Sequence, residues 1–177
     1  MSSLETITLG GGCFWCLEAV FLRLRGVEAV ESGYCNGHLP NPHYEQVCSG
    51  QTGHAEVVRV HFDPGQLPLR SLLEVFFAVH DPTTLNQQGG DVGTQYRSGI
   101  YTHNEAQAAV AREVLDEAQQ ALGGRVVTEL QPERLYSSAE AYHQRYFEQH
   151  PDAGYCSFVV APKVEKFQRQ FKALLRE

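Results

Sequence analysis

No apolar run of about 18 residues, the length needed to cross a bilayer as a helix, occurs anywhere in this 177-residue sequence, so no membrane span is expected. Basic excess is missing as well. Fourteen Lys and Arg stand against 21 Asp and Glu for a formal net charge of −7, and the cations are scattered. That pattern argues against nucleic acid or an anionic membrane as partner. The opening stretch MSSLETITLGGGCFW carries neither a positive n-region nor an apolar core of about 7–15 residues, which speaks against a secretory signal and for a soluble, cytoplasmic protein. Five cysteines (Cys13, Cys16, Cys35, Cys48, Cys156) are too few, and odd in number, for a disulfide scaffold. Metal-ligand spacing is lacking: the eight histidines show no H-x-x-H or H-E-x-x-H, and the single C-x-x-C has no second copy, so no zinc site is expected. With no internal repeat and no Pro/Ser/Gly linker, residues 1–177 read as one single domain.

What is present is a chain with 42% apolar side chains, enough for a full core. Glu5–Leu9 reads as a strand leading through Gly10-Gly11-Gly12 into a largely buried helix, Cys13 to Arg25, stopped by Gly26. Val27–Ser32 suggests a strand, and Gly33–Gly53 a long loop, a length that in a compact domain marks function or disorder; it holds Tyr34, Tyr44 and two cysteines. Ala55–Phe62 has strand period, with Glu56 on the apolar side beside Val58, Val60 and Phe62. Leu69–His80 and Asn104–Leu122 read as helices, the second closed by Gly123-Gly124. Between them lie a polar loop, Leu85–Arg97, and a short strand, Ser98–Thr102, and a further strand is expected over Arg125–Gln131. Ser137 with Glu140 has a capping-box pattern that predicts a helix over Ala139–His150, and Pro162 opens a last helix with Val164, Phe167, Phe171 and Leu174 at helical spacing. Alternating strands and helices give α+β or α/β.

Cys13 sits where a glycine turn meets a helix start. Unpaired N–H groups and the positive dipole end favour an anion there, so its thiol pKa is expected below about 8.5; the plainer alternative is a small buried hydrophobe. Cys16 lies one helical turn on. Glu56, desolvated on the apolar side of a strand, is expected to have a raised pKa and to deliver a proton near neutrality, unless it is a structural ion-pair partner. Tyr34 and Tyr96 lie in glycine-flanked polar loops, where a phenol can hydrogen-bond a polar oxygen or simply face solvent. Phe14 and Trp15, the latter the sole tryptophan, suit either core packing or an apolar pocket wall. Asp91, His54 and Arg97 share the loops, as substrate contacts or as turn caps.

The strings GGGCFWCLEAVF, SGYCNG, YEQVCSGQTGHAEVVRV and GGDVGTQYRSGIY resemble the A-type peptide methionine sulfoxide reductases, with the likeness running from about residue 7 to residue 162. The resemblance implies an α+β two-layer sandwich around a mixed sheet. It also implies reduction of the S-epimer of methionine sulfoxide, free or in proteins, with thioredoxin as reductant and neither metal nor organic cofactor. By position in the matching motifs, Cys13 is the nucleophile, Glu56 the acid, and Tyr34 and Tyr96 the hydroxyls on the sulfoxide oxygen; Phe14 and Trp15 hold the substrate methyl, and Asp91 and Tyr155 contact its backbone. Two departures stand out: Cys16 occupies a position where glycine is frequent, and SFVVAPKVEKFQRQF follows Gly-Tyr-Cys156 in place of a glycine-rich tail. The match to the recycling position makes Cys156 the expected resolving thiol, with Cys16 as alternative. Competing readings are a thioredoxin-like dithiol oxidoreductase using Cys13 and Cys16, a cysteine hydrolase, and a non-catalytic peptide-binding module.

Overall fold

The computed structural model describes residues 4–150 and 152–176. Along the chain run β1 (Glu5–Gly10), α1 (Phe14–Phe21), β2 (Val27–Cys35), α2 (Tyr44–Cys48), β3 (Ala55–Phe62) and α3 (Leu69–Val79). The ribbon strands β4 (Gln87–Gln88) and β5 (Asp91–Val92) follow, then β6 (Gly99–Thr102), α4 (Glu105–Ala121), β7 (Glu129–Pro132), β8 (Ser137–Ser138), α5 (Tyr146–Gln149) and α6 (Ala161–Gln170). Six strands form one sheet in the order β7-β6-β1-β3-β2-β8, with β6 and β7 parallel and the other pairs antiparallel. It is the expected mixed sheet of an α+β fold.

Period two dictates the layers. Ile7, Leu9, Val58, Val60, Phe62 and Ile100 turn to one face, where they pack in a single core with Phe14, Leu17 and Phe21 of α1, Leu72 and Phe76 of α3, Val114 of α4 and Phe167 of α6. The opposite face carries a smaller apolar group, Cys35, Ala55, Val57 and Tyr101. Beside it Arg59 pairs with Glu133 at 2.7 Å and lies over the Tyr136 ring. The result is a two-layer sandwich, and no helix among the described residues is long and apolar enough to cross a membrane.

Several element boundaries differ from the sequence expectation, each for a local reason. The first helix begins after Cys13, which is its N-cap, and ends at Phe21 before the chain turns through Gly26 at φ +94. The long loop gives up Gly33, Tyr34 and Cys35 to β2 and encloses α2. The strand expected over Arg125–Gln131 runs instead over Glu129–Pro132, and the final helix stops at Gln170, leaving Leu174 in a short 3-10 turn. The helix expected over Ala139–His150 is absent. Glu140 is spent elsewhere: its carboxylate accepts the Tyr34 hydroxyl and the Tyr44 backbone N–H. The Gln144 amide takes both backbone groups of Ser32, and Arg145 turns left-handed at φ +55. Only a 3-10 turn and the single turn α5 remain.

Candidate active site

β1 delivers the chain through three glycines to Cys13 at the start of α1. Gly12 has φ +90, and a Cβ there would lie 2.8 Å from Gln88, so only glycine lets the turn close this tightly. Its N–H donates to the Tyr96 carbonyl at 3.2 Å, tying the loop of Tyr96 to the thiol's turn. Cys13 is 8% exposed. The Trp15 backbone N–H lowers its pKa as a helix start should, but burial outweighs this, and charges on Glu56 and Cys16 act in the same direction as burial. The thiol therefore titrates well above its ordinary value. This corrects the low pKa expected from the helix end: desolvation of a buried sulfur is the larger effect.

Glu56, on β3, faces α1 and is 1% exposed. Its Oε1 accepts the Phe14 backbone N–H at 3.3 Å, while its buried Oε2 has no hydrogen-bond partner. Burial raises its pKa to about 8, with the Asp91 charge adding a smaller push. Around pH 7 it is a neutral acid with one oxygen uncommitted.

The tyrosines separate by partner. Tyr34 stands opposite Glu56 across β2–β3, fully buried, but its hydroxyl donates to Glu140 at 2.9 Å. Tyr96, half-buried in the 3-10 turn Thr94–Tyr96, resists ionisation through burial and through the charges of Glu56, Cys48, Asp91 and Cys13. Tyr44 of α2 resists it through burial, a hydrogen bond with Cys48 and the charge on Glu56. Tyr44 and Tyr96 thus both lie in the field of the buried acid. Sequence reasoning flagged the loop that holds Tyr44 without giving the residue a role; the available signal was its place at the head of the string YEQVCSG.

The apolar side is built on the residues after the thiol. Phe14 is fully buried, its ring 5.6 Å from that of Tyr34 and 5.2 Å from that of His143. Trp15 is half-buried, stacks on Tyr146 at 3.9 Å and meets Tyr155 edge-on, and the Tyr155 hydroxyl donates to Asp91 at 2.6 Å. The Trp15 indole donates to Nδ1 of His143 at 3.3 Å. An indole N–H is only a donor, so a neutral His143 ring carries its proton on Nε2, which is buried and has no partner. His143 and Tyr146 were given no role from the sequence, where both fall inside the helix expected over Ala139–His150 and no motif marks them. Among the described residues no group of three His, Cys, Asp or Glu side chains is placed to hold a metal ion. His54 and Arg97 serve the loops: the His54 ring accepts the Gly37 N–H, and Arg97 pairs with Glu129 at 3.0 Å.

The family model of peptide methionine sulfoxide reductases matches residues 5–175. The chain belongs to that family. It is 54% identical over 177 residues to a peptide methionine sulfoxide reductase of Polynucleobacter asymbioticus, a match covering 99% of this chain and 93% of that one. Among solved structures, reduced Mxr1 of Saccharomyces cerevisiae superposes with a TM-score of 0.82 at 36% identity, covering 86% of this chain and 89% of that one. Mxr1 in complex with Trx2 matches at a TM-score of 0.59 and 27% identity, covering 81% and 84%. As a methionine sulfoxide reductase the chain is an oxidoreductase, and its thiols acquire a context.

All five cysteines of this reductase are free thiols. Cys16, in the first turn of α1, has its pKa raised by burial, against which the charge of Lys163 acts. Its own charge raises the pKa of Cys13 on one hand and of Cys156 on the other. Cys156 is fully buried in the helical segment Cys156–Val160 that continues into α6. Cys35 lies in the small cluster on the far face of the sheet, and Cys48 is exposed on α2.

Proposed function

We propose that this chain, working as one catalytic domain in the cytoplasm, reduces methionine-S-sulfoxide, free or within proteins, by attack of Cys13 on the sulfoxide sulfur. The observation that carries this reading is the pairing of a nucleophile at a helix start with Glu56, a neutral buried acid whose Oε2 has no partner. A sulfoxide sulfur becomes electrophilic as its oxygen is protonated. Glu56 gives that proton and takes the one Cys13 loses, so the thiol need not be ionised beforehand. The S–O bond breaks, oxygen ends on Cys13, and the balance is thiol plus sulfoxide to sulfenic acid plus thioether.

Tyr96 and Tyr44 are the hydroxyls we assign to the oxygen, since the Tyr34 hydroxyl is given to the Glu140 carboxylate, whereas Tyr44 bonds only the Cys48 thiol, a weak acceptor that a sulfoxide oxygen can replace. Phe14 and Trp15 line the methyl side. Asp91 with Tyr155, and the free Nε2 of His143, suit the polar backbone of the substrate. The sulfenic acid then condenses with a second thiol. Cys16 interacts with both Cys13 and Cys156, which supports Cys16 as first partner and Cys156 behind it, the reverse of the order expected from the motif match. The complex of the related Mxr1 with Trx2 supports a thioredoxin as final reductant. Five free thiols suit a reducing compartment. The test is consumption of methionine sulfoxide with dithiothreitol: parent protein is expected to turn over and Cys13→Ser to show none. Turnover by Cys13→Ser would remove the reading.

A further inference from the structure

Lys163, in the first turn of α6, has no part in the chemistry so far, yet its Nζ lies 3.8 Å from the Cys16 sulfur. Among the described residues it forms no ion pair with a carboxylate. The cation also lines a groove of about 740 Å³ with His80, Asp81, Arg125 and Lys166, so it can exchange protons with solvent. His80, buried and with its pKa lowered to about 4, adds no competing charge there.

The three thiols in the main core are unequal in one respect. Cys13 has burial and the charges of Glu56, Cys16 and Asp91 against ionisation, and Cys156 has burial and Cys16. Burial and Asp91 leave the Cys16 pKa raised as well, but Cys16 alone of the three faces a cation, which works against them.

We propose that Lys163 is a positioning residue that makes Cys16 the resolving nucleophile, its ammonium offsetting part of the burial so that Cys16 loses its proton to solvent and attacks the Cys13 sulfenic acid as a thiolate. This rests on the reading of Cys13 given above. In the step, the Cys16 thiolate forms a bond to the Cys13 sulfur, and the Cys13 S–O bond breaks. The departing hydroxide takes one proton from solvent and leaves as water; Cys16 is oxidised and Cys13 reduced to the disulfide level, with Lys163 remaining an ammonium. A C-x-x-C at a helix start brings the two α-carbons within about 5–6 Å, inside disulfide range.

The experiment is one turnover without reductant, following methionine release and sulfenic acid decay in the same quenched samples, the latter by dimedone trapping. Lys163→Met is expected to slow decay at least 10-fold relative to methionine release at pH 7 and to move the pH midpoint of decay upward, with Lys163→Arg recovering most of the loss. Peptide mapping of the parent, which needs no variant, is expected to give Cys13–Cys16 as the first disulfide. An unaltered ratio of decay to release in Lys163→Met, or a first disulfide that joins Cys13 to Cys156, overturns the role of Lys163 while the reductase reading stands. No methionine release by the parent overturns both.

Discussion

Cys13 and Glu56 are tuned by each other as much as by their elements. The placement of both was legible in the sequence: a glycine turn before a helix gave the thiol its position, and period two put the carboxyl on the apolar face. The sign of the thiol shift was not, because how deeply a side chain sinks depends on long-range packing that local pattern does not carry. A charge on Glu56 raises the Cys13 pKa, so Glu56→Gln should move the iodoacetamide pH midpoint of Cys13 downward from a parent value above the ordinary thiol range. An unchanged or higher midpoint in the variant would mean that the two groups do not share a field. Tyr34 and Tyr44 teach the same point from the other side: both were visible as loop tyrosines, but only the folded chain shows the Tyr34 hydroxyl committed to a carboxylate and that of Tyr44 to the weaker Cys48 thiol.

At the scale of elements, the segment 137–150 is where sequence pattern and structure part most clearly. A Ser-x-x-Glu pattern predicts a cap, yet the Glu140 carboxylate instead accepts the Tyr34 hydroxyl, the Tyr44 N–H and the Tyr142 hydroxyl. Those bonds fasten α2, which carries Tyr44, to the edge of the sheet. A capping pattern cannot reveal a partner about 100 positions away in the chain, which is why this role stayed hidden. Glu140→Ala should leave Tyr44 loosely held and lower kcat/KM for methionine sulfoxide about 10-fold, the equivalent of about 1.4 kcal/mol in the barrier. Circular dichroism should stay that of the parent; equal kcat/KM in the two proteins would show that α2 is positioned by other contacts. The helix after Asn104 was read well because its signal is local, the Asn104 side chain capping the Gln107 N–H at 2.9 Å, whereas Pro162 does not open the last helix, since the backbone is already helical through Cys156–Val160.

For the whole molecule, burying an acid for catalysis has a thermodynamic consequence. Glu56 and Glu18 are both buried, with pKa values raised to about 8 and about 7 from an ordinary 4.5. The folded state holds protons on them that the unfolded chain has released, so their contribution falls as pH rises through that window. His80, lowered to about 4, acts in the opposite direction, as do His103 and His143, whose pKa values burial also lowers, but their effect is mostly spent by their ordinary value of 6.5. Between pH 6.5 and 8 the carboxyls therefore outweigh them, and unfolding free energy should drop by about 1 kcal/mol. Urea melts at the two pH values check this, and Glu56→Gln should flatten the dependence; a parent stability that rises across the interval would contradict the assigned protonation. The central claim remains that Cys13 attacks while Glu56 supplies the proton. Its most direct test is the rate of methionine release in a single turnover at pH 7, with excess methionine-S-sulfoxide and no reductant. Glu56→Gln is predicted to bind substrate but release methionine about 10²-fold or more slowly than the parent, and a release rate equal to the parent's would contradict the account.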